Sequence, residues 1–105
     1  MNPYAKRKEP MHSKNYIGDR VSLRIDDPNL DFVGAKDAAK KTAKELCPDP
    51  MLLSWYQGKT GEGYPNYECG SRDEPAWMLY AASRGGDLTI DINEGEYIFI
   101  YLSLT

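Results

Sequence analysis

The chain has 105 residues, of which 41% are hydrophobic and 28% charged, and this is typical of one small globular domain. Residues 1–15 hold four cations against one carboxylate, so the remaining chain carries a net charge of −6, against −3 for the whole. An acidic body argues against a nucleic-acid partner, which needs clustered cations, and no apolar run approaches the ~20 residues of a membrane-spanning helix.

The N-terminal segment "MNPYAKRKEPMHSKN", residues 1–15, is polar and basic and has no regular hydrophobic period. This pattern predicts a disordered basic tail, followed by a single domain over residues 16–105. His12 is the one histidine of the sequence and falls in the tail, which argues against a histidine-based catalytic pair in the domain. The N-terminus lacks the apolar segment of a signal peptide, which predicts a cytoplasmic protein with reduced cysteines.

The first half of the domain shows a strand, a helix and a second strand. "DRVSLRID" alternates apolar and polar residues, which predicts a half-buried strand. "LDFVGAKDAAKKTAKEL" repeats small apolar residues every three or four positions, which predicts an amphipathic helix that Asn29 or Asp31 would cap. Pro48 ends this helix, and "MLLSWYQ" is apolar on both faces, which indicates an interior strand.

The second half is predicted to hold a return strand, a helix and a hairpin. "YPNYEC" follows the turn-rich "GKTGEG" and is a plausible return strand. "SRDEPAWMLYAASRGG" favours a helix with Pro75 in its first turn, although "AWMLYAAS" also fits a strand. "DLTIDINEGEYIFIYLSL" alternates on both sides of "NEGE", which predicts a β-hairpin.

This element order predicts an α+β two-layer sandwich, with a mainly antiparallel sheet of four to five strands and two helices on one face. The order is β-α-β-β-α-β-β. The last strand is apolar on both faces, and one of its faces carries Tyr97, Phe99 and Tyr101. We expect this aromatic face, together with Trp55, to form a contact surface for self-association or for a protein or ligand partner. The alternative is an ordinary tyrosine-rich sheet face.

Cys47 and Cys69 raise the alternative of thiol chemistry. Cys47 stands in "CPDP", which resembles the Cys-Pro-x-Pro signature of small sulfur carriers of the TusA type. The resemblance implies a reactive Cys47, with Asp49 nearby and Cys69 as a resolving thiol, but here the cysteine follows a helix instead of opening one. A helix-to-strand connector explains "CPDP" completely, and we favour it over a reactive thiol. The cysteines lack the close pairing of zinc ligands, although both would flank the open end of a hairpin of residues 51–57 and 64–69.

Two further motifs fail in their spacing. "GKT" lacks the glycine that a phosphate-binding loop needs five residues earlier, and "DINEGE" places its glycine one position too early for an EF-hand loop. The sequence therefore predicts no cofactor, no metal site and no specific catalytic residue.

"CPDPMLLSWY", "NYEC" and "SRGGDLTIDINEGEYIFIY" together resemble a family of small uncharacterised α+β proteins from anaerobic archaea and sulfate-reducing-type bacteria. The resemblance covers about residues 31–101 and implies a compact single domain without assigned catalytic residues. The resemblance implies no function. The last strand, apolar on both faces, and the lack of a histidine or an intact catalytic motif in the domain favour a non-enzymatic cytoplasmic binding module. The alternative is a thiol-dependent sulfur-carrier or redox-linked protein that uses Cys47.

Overall fold

The computed structural model describes residues 4–9, 18–66 and 75–103, which form six strands and two helices. The strands are β1 (Tyr4–Glu9), β2 (Asp19–Ile25), β3 (Pro50–Gln57), β4 (Glu62–Tyr64), β5 (Leu88–Ile92) and β6 (Tyr97–Ser103). The helices are α1 (Phe32–Leu46) and α2 (Ala76–Ser83).

The strands form one mixed sheet in the order β1-β2-β5-β6-β3-β4. Strands β2 and β5 pair in parallel, whereas the other four neighbouring pairs are antiparallel. The predicted α+β class, with a mainly antiparallel sheet and two helices, is confirmed. The sheet is larger than expected, with six strands among the described residues in place of four to five.

The two helices lie on opposite faces of the sheet, so the prediction that they share one face is wrong. Along β6, Phe99 packs in the cluster that α1 covers, and the next residue, Ile100, packs in the cluster under α2. The crossover from β2 to β3 contains α1, and the return from β3 to β5 contains α2. Crossover connections between parallel strands are right-handed. The chain crosses the sheet in one direction from β2 to β3 and in the opposite direction from β3 to β5, so the two helices lie on opposite faces.

Strand β1 lies in the segment predicted to be a disordered tail. It pairs antiparallel with β2, in a register that joins Tyr4 to Ile25 and Glu9 to Arg20. An edge strand is held by backbone hydrogen bonds and tolerates charged residues, so it needs no hydrophobic period that a sequence would reveal. The other residues of the predicted tail lie outside the described part of the chain.

Helix α1 begins and ends where the sequence predicts. Asp31 is its N-cap, with the side chain accepting a hydrogen bond from the Gly34 amide at 2.9 Å. The buried face consists of small residues, which lets the helix approach the sheet closely: Ala35, Ala38, Ala39, Thr42 and Ala43. Cys47 is the C-cap, and Pro48 prevents continuation of the helix.

Two uncertain elements of the second half are now settled. Residues 76–83 form a helix behind Pro75, so the strand alternative for "AWMLYAAS" is wrong. The return strand is β4, which ends at Tyr64 and therefore lies earlier than the predicted "YPNYEC". Residues 67–69 of that motif lie outside the described residues.

The turn of the β5–β6 hairpin is fastened to its neighbours by side chains. Asn93 and Glu94 have positive φ angles of 54° and 55°, in the left-handed region that asparagine tolerates better than most residues. The Asn93 side chain bonds to the backbone of Ile25, with its Oδ1 2.8 Å from the amide nitrogen. Buried Asp91 accepts hydrogen bonds from the Arg20 guanidinium at 2.9 Å and from the Gly95 amide at 2.6 Å.

Candidate functional site

The predicted aromatic contact surface of the last strand is buried. Tyr97, Phe99 and Tyr101 are only 4%, 0% and 2% exposed, because α1 packs on the aromatic face of β6 and not on the isoleucine face. Burial also raises the pKa of the Tyr101 phenol above its usual value. These three residues therefore belong to the core and cannot form the surface that the sequence suggested.

The fourth residue of that prediction, Trp55, does lie at a surface, where it joins an aromatic row. Its ring stacks on Tyr64, with centroids 6.1 Å apart and planes inclined by 20°. On its other side it contacts Phe32, with centroids 4.7 Å apart. Tyr64 is 57% exposed, whereas Trp55 and Phe32 are half-buried. We call Phe32, Trp55 and Tyr64 the aromatic row.

Backbone pairing and core packing fix the positions of the row. Trp55 of β3 and Tyr64 of β4 are directly opposite in an antiparallel pair, so their side chains share one face. Phe32 is the first residue of α1 and packs on buried Phe99, with ring centroids 5.7 Å apart. The row therefore extends the α1 side of the sheet beyond the helix, towards the β4 edge.

The opposite face of β4 is held by a close contact with α2. A Cβ atom at Gly63 would stand 2.6 Å from Cδ1 of Trp77, which leaves room only for glycine. The Trp77 ring in turn stacks on Tyr56, with centroids 4.9 Å apart and planes inclined by 15°. This packing supports the short strand that presents Tyr64 to solvent.

Both signs of charge flank the row. Lys36 and Lys40 are exposed and follow Phe32 by four and eight residues, which places them roughly 40° and 80° around the axis of α1 from it. Glu62 precedes Tyr64 by two residues on the same face of β4, and its carboxylate accepts a hydrogen bond from the Thr60 hydroxyl at 3.4 Å. The cations therefore lie on the α1 side and the carboxylate on β4.

Cys47 occupies a different place, at the opposite end of α1. The residue is 9% exposed, and its thiol donates a hydrogen bond to the carbonyl of Ala43 at 3.4 Å. It borders an open depression of about 370 Å³ with these lining residues: Gly18, Asp19, Leu46, Asp87, Leu88 and Ser103.

Of the other two residues in the thiol hypothesis, the structure describes only Asp49. Asp49 is exposed and does not line the depression. Cys69 lies outside the described residues, so its predicted role as a resolving thiol stays a prediction. Within residues 4–9, 18–66 and 75–103, no three histidine, cysteine or acidic side chains are grouped as a metal site would require.

Sequence reasoning missed two members of the row, Phe32 and Tyr64. Phe32 falls in the helix predicted from "LDFVGAKDAAKKTAKEL", and Tyr64 begins the predicted return strand "YPNYEC". The pairing of Trp55 with Tyr64 depends on the length of the intervening turn, Gly58 to Gly61, which the sequence marks only as a loop.

Comparison with known proteins places the chain in a family. A model of a domain of unknown function, DUF5619, matches residues 18–101. An uncharacterized protein of the archaeon Archaeoglobus fulgidus is 36% identical over 75 residues, which cover 68% of this chain and 79% of the relative. A crystal structure of a novel non-family-model protein from the same species matches with a TM-score of 0.72 and 27% identity, and the match covers 85% of this chain and 98% of that one.

These relatives bring no assigned activity, so function has to be argued from the site. They do confirm the resemblance to a small archaeal α+β family that the sequence motifs indicated. Because the family model covers most of the chain, the chain belongs to the DUF5619 family.

Proposed function

We propose that the protein is a non-enzymatic binding module whose contact surface is the aromatic row. The observation that carries this proposal is the position of Tyr64, which is 57% exposed while its ring is stacked on Trp55. Tyrosine and tryptophan are enriched in the contact surfaces of proteins because they supply large area with few rotatable bonds.

The packing around the row supports binding because it fixes the rings before a partner arrives. Trp55 is held between Phe32 and Tyr64, and Phe32 is held by the core through Phe99. A surface that is already ordered loses little side-chain entropy on association, so more of the contact free energy appears as affinity.

We also propose a cytoplasmic location. Cys47 is a free thiol, which is the usual state of cysteine in a reducing compartment. In the part of the chain that the structure describes, no helix has the length and apolar character to cross a membrane.

Self-association, which the sequence predicted through the aromatic face of β6, is a second mode of binding that we assign to the row. The row presents an exposed aromatic ring, and a twofold axis through it would bring the Tyr64 rings of two copies face to face. Sedimentation velocity over a range of concentrations tests this mode, with Tyr64→Ala expected to reduce any concentration-dependent increase in sedimentation coefficient.

The binding surface itself is tested with a small neutral ring. Titration of the ¹⁵N-labelled full chain with indole should give saturable shifts in the amide resonances of Trp55 and Tyr64 and in the Trp55 indole N–H. Tyr64→Ala should abolish these shifts. Met51→Ala is the matched control, because Met51 is an exposed apolar residue of the same strand outside the row, 43% exposed. Shifts that survive in Tyr64→Ala would contradict the proposal.

A further inference from the structure

We propose that the β4 end of the aromatic row binds an arginine side chain of a basic partner protein, with the guanidinium stacked on the outer face of Tyr64 and hydrogen-bonded to Glu62. This inference rests on the proposed function and names the chemistry of the partner. It joins two observations, an exposed ring that Trp55 supports from behind and a carboxylate on the same face of the same strand.

One face of the Tyr64 ring is covered and the other is open. Trp55 covers the inner face, with ring centroids 6.1 Å apart and planes inclined by 20°. Among the described residues β4 is the last strand on its side of the sheet, so no further strand of that part covers the outer face. The π face of an aromatic ring attracts cations, and the planar guanidinium of arginine stacks on it. The open ring is therefore suited to a planar cation.

Glu62 supplies the negative charge that pairs with a guanidinium. It lies two residues before Tyr64 on β4, so the two side chains share one face, with Cα atoms roughly 7 Å apart. Its carboxylate accepts a hydrogen bond from the neutral Thr60 hydroxyl and forms no ion pair with the residues that the structure describes. Lys59, in the turn before β4, lies 3.8 Å from Glu96 instead. A guanidinium over the ring is therefore beside a carboxylate that can accept two of its hydrogen bonds.

The surroundings favour a cationic partner over an anionic one. A second carboxylate, Asp31, is exposed and directly precedes Phe32 at the other end of the row. The domain is acidic, because the whole chain carries a net charge of −3 while residues 1–15 are basic. An acidic surface speeds the encounter with basic partners and disfavours acidic ones.

The protein makes the same kind of contact within itself. The guanidinium carbon of Arg84 lies 4.8 Å from the centroid of the Tyr80 ring, at the C-terminal end of α2. Arg84 is exposed and Tyr80 half-buried, so arginine stacks on tyrosine at a solvent-facing position of this fold. The contact that we propose for Tyr64 has the same chemistry, with the arginine supplied by another molecule.

The openness of the ring favours a protein as the source of the arginine. Tyr64 is 57% exposed, so the ring covers a ligand on one side only. Small molecules bind in concave sites that bury most of their surface, which an open ring does not do. An arginine carried by a partner protein gains further contacts from the residues around it, and we therefore assign the surface to a basic segment of a partner.

The test compares two peptides that differ in charge. The acetylated and amidated pentapeptide GSRSG is titrated into the ¹⁵N-labelled full chain, at a concentration at which sedimentation velocity shows a monomer. The control peptide carries citrulline, the uncharged isostere, in place of arginine. The arginine peptide should bind about fivefold to tenfold more tightly, read from the amide of Tyr64 and the indole N–H of Trp55. Equal affinities of the two peptides would overturn the inference.

Variants separate the contribution of the ring from that of the carboxylate. Tyr64→Phe keeps the π face and should retain the preference for arginine, whereas Tyr64→Leu keeps apolar area without it and should lose most of the preference. Glu62→Gln should reduce the preference and leave the indole shifts unchanged. Asp49→Asn is the matched control, because it removes the same charge from an exposed position roughly 20 Å from Trp55 along β3.

The outcomes separate the two proposals. If indole binds but arginine brings no advantage over citrulline, the arginine inference is overturned while the binding surface stands. If Glu62→Gln and Asp49→Asn reduce the preference equally, the preference reflects net charge alone, and the inference also fails. If neither indole nor the arginine peptide shifts the resonances of the row, both proposals fail together.

Discussion

The side-chain amide of Asn93 pairs with both backbone groups of Ile25, accepting from its amide at 2.8 Å and donating to its carbonyl at 3.2 Å. The backbone amide of Asn93 donates to Leu23, at the last residue pair of the β2–β5 ladder. A single side chain thus continues the parallel pairing for one step after β5 has turned away.

We expect Asn93→Ala to destabilise the protein by about 2–4 kcal/mol, because it removes both hydrogen bonds and places alanine at a φ of 54°. Asn93→Gly removes the same hydrogen bonds without the backbone strain, so it should cost about 1–2 kcal/mol less than alanine. Urea unfolding of the three proteins measures the difference. Equal stability of Asn93→Ala and the parent would contradict a structural role for this side chain.

The ion pair between Arg20 and Asp91 should respond to substitution as a unit. Asp91 is fully buried and Arg20 contacts it at 2.9 Å. Asp91→Asn removes the buried charge that the guanidinium contacts and should destabilise the protein by about 3 kcal/mol. A double-mutant cycle with Arg20→Met should show that the two losses are far from additive. Strict additivity would mean that the pair contributes no coupling.

Alkaline pH should weaken the fold through Tyr101. In the unfolded chain its phenol loses a proton near pH 10, whereas burial raises its pKa in the native state. The native state then holds one more proton above pH 10, so stability is complete below that pH and falls as pH rises, by about 1.4 kcal/mol per unit. Urea unfolding between pH 9 and 11 should show this slope in the parent, and a smaller slope in Tyr101→Phe.

The thiol of Cys47 should react slowly with a small alkylating agent. It is buried and bonded to the carbonyl of Ala43, so modification requires local opening, and we expect at least about 100-fold protection relative to the denatured chain. Mass spectrometry of the Cys47 peptide measures the rate against pH. Fast reaction with an apparent pKa well below ~8.5 would instead support the sulfur-carrier alternative.

Two residues of the aromatic row should differ in their importance for stability. Tyr64→Ala should change the free energy of unfolding by only about 0.5 kcal/mol, since the ring is 57% exposed. Trp55→Ala should cost about 2–3 kcal/mol, because Trp55 packs against the core through Phe32. Denaturant unfolding compares them, and a large loss for Tyr64→Ala would make the ring a structural element and weaken its assignment to binding.

Much of the fold was accessible from local sequence patterns. The β5–β6 hairpin, α1 and β2 all follow from hydrophobic periods and caps, such as Asp31 before α1. The side of the sheet that each helix covers was not accessible, because it depends on the direction in which the chain crosses the sheet. Strand β1 was missed because its residues, YAKRKE, are mostly polar and do not alternate with apolar ones. Its place in the sheet depends on its pairing with β2.

The candidate site could not be predicted for the same reason, because the sequence does not show which face of a strand a helix covers. A strand with Phe99 on one face and Ile100 on the other gives no indication of which face is covered, and a helix covers each of them here. Trp55 is the one predicted residue that lies in the row, and its neighbours Phe32 and Tyr64 come from a helix start and a short edge strand. Their convergence is a property of tertiary packing and register that spacing along the chain does not encode.

The order of strands has a consequence for how the protein is made. Strands β5 and β6 occupy the centre of the sheet, but they are the last of the described strands to be synthesised. Strands β2 and β3 flank this pair and do not pair with each other, so on the ribosome both lack their central partners until residues 88–103 have emerged. Folding is therefore completed only after synthesis of β6, and a nascent chain released before that point exposes the strand edges that favour aggregation.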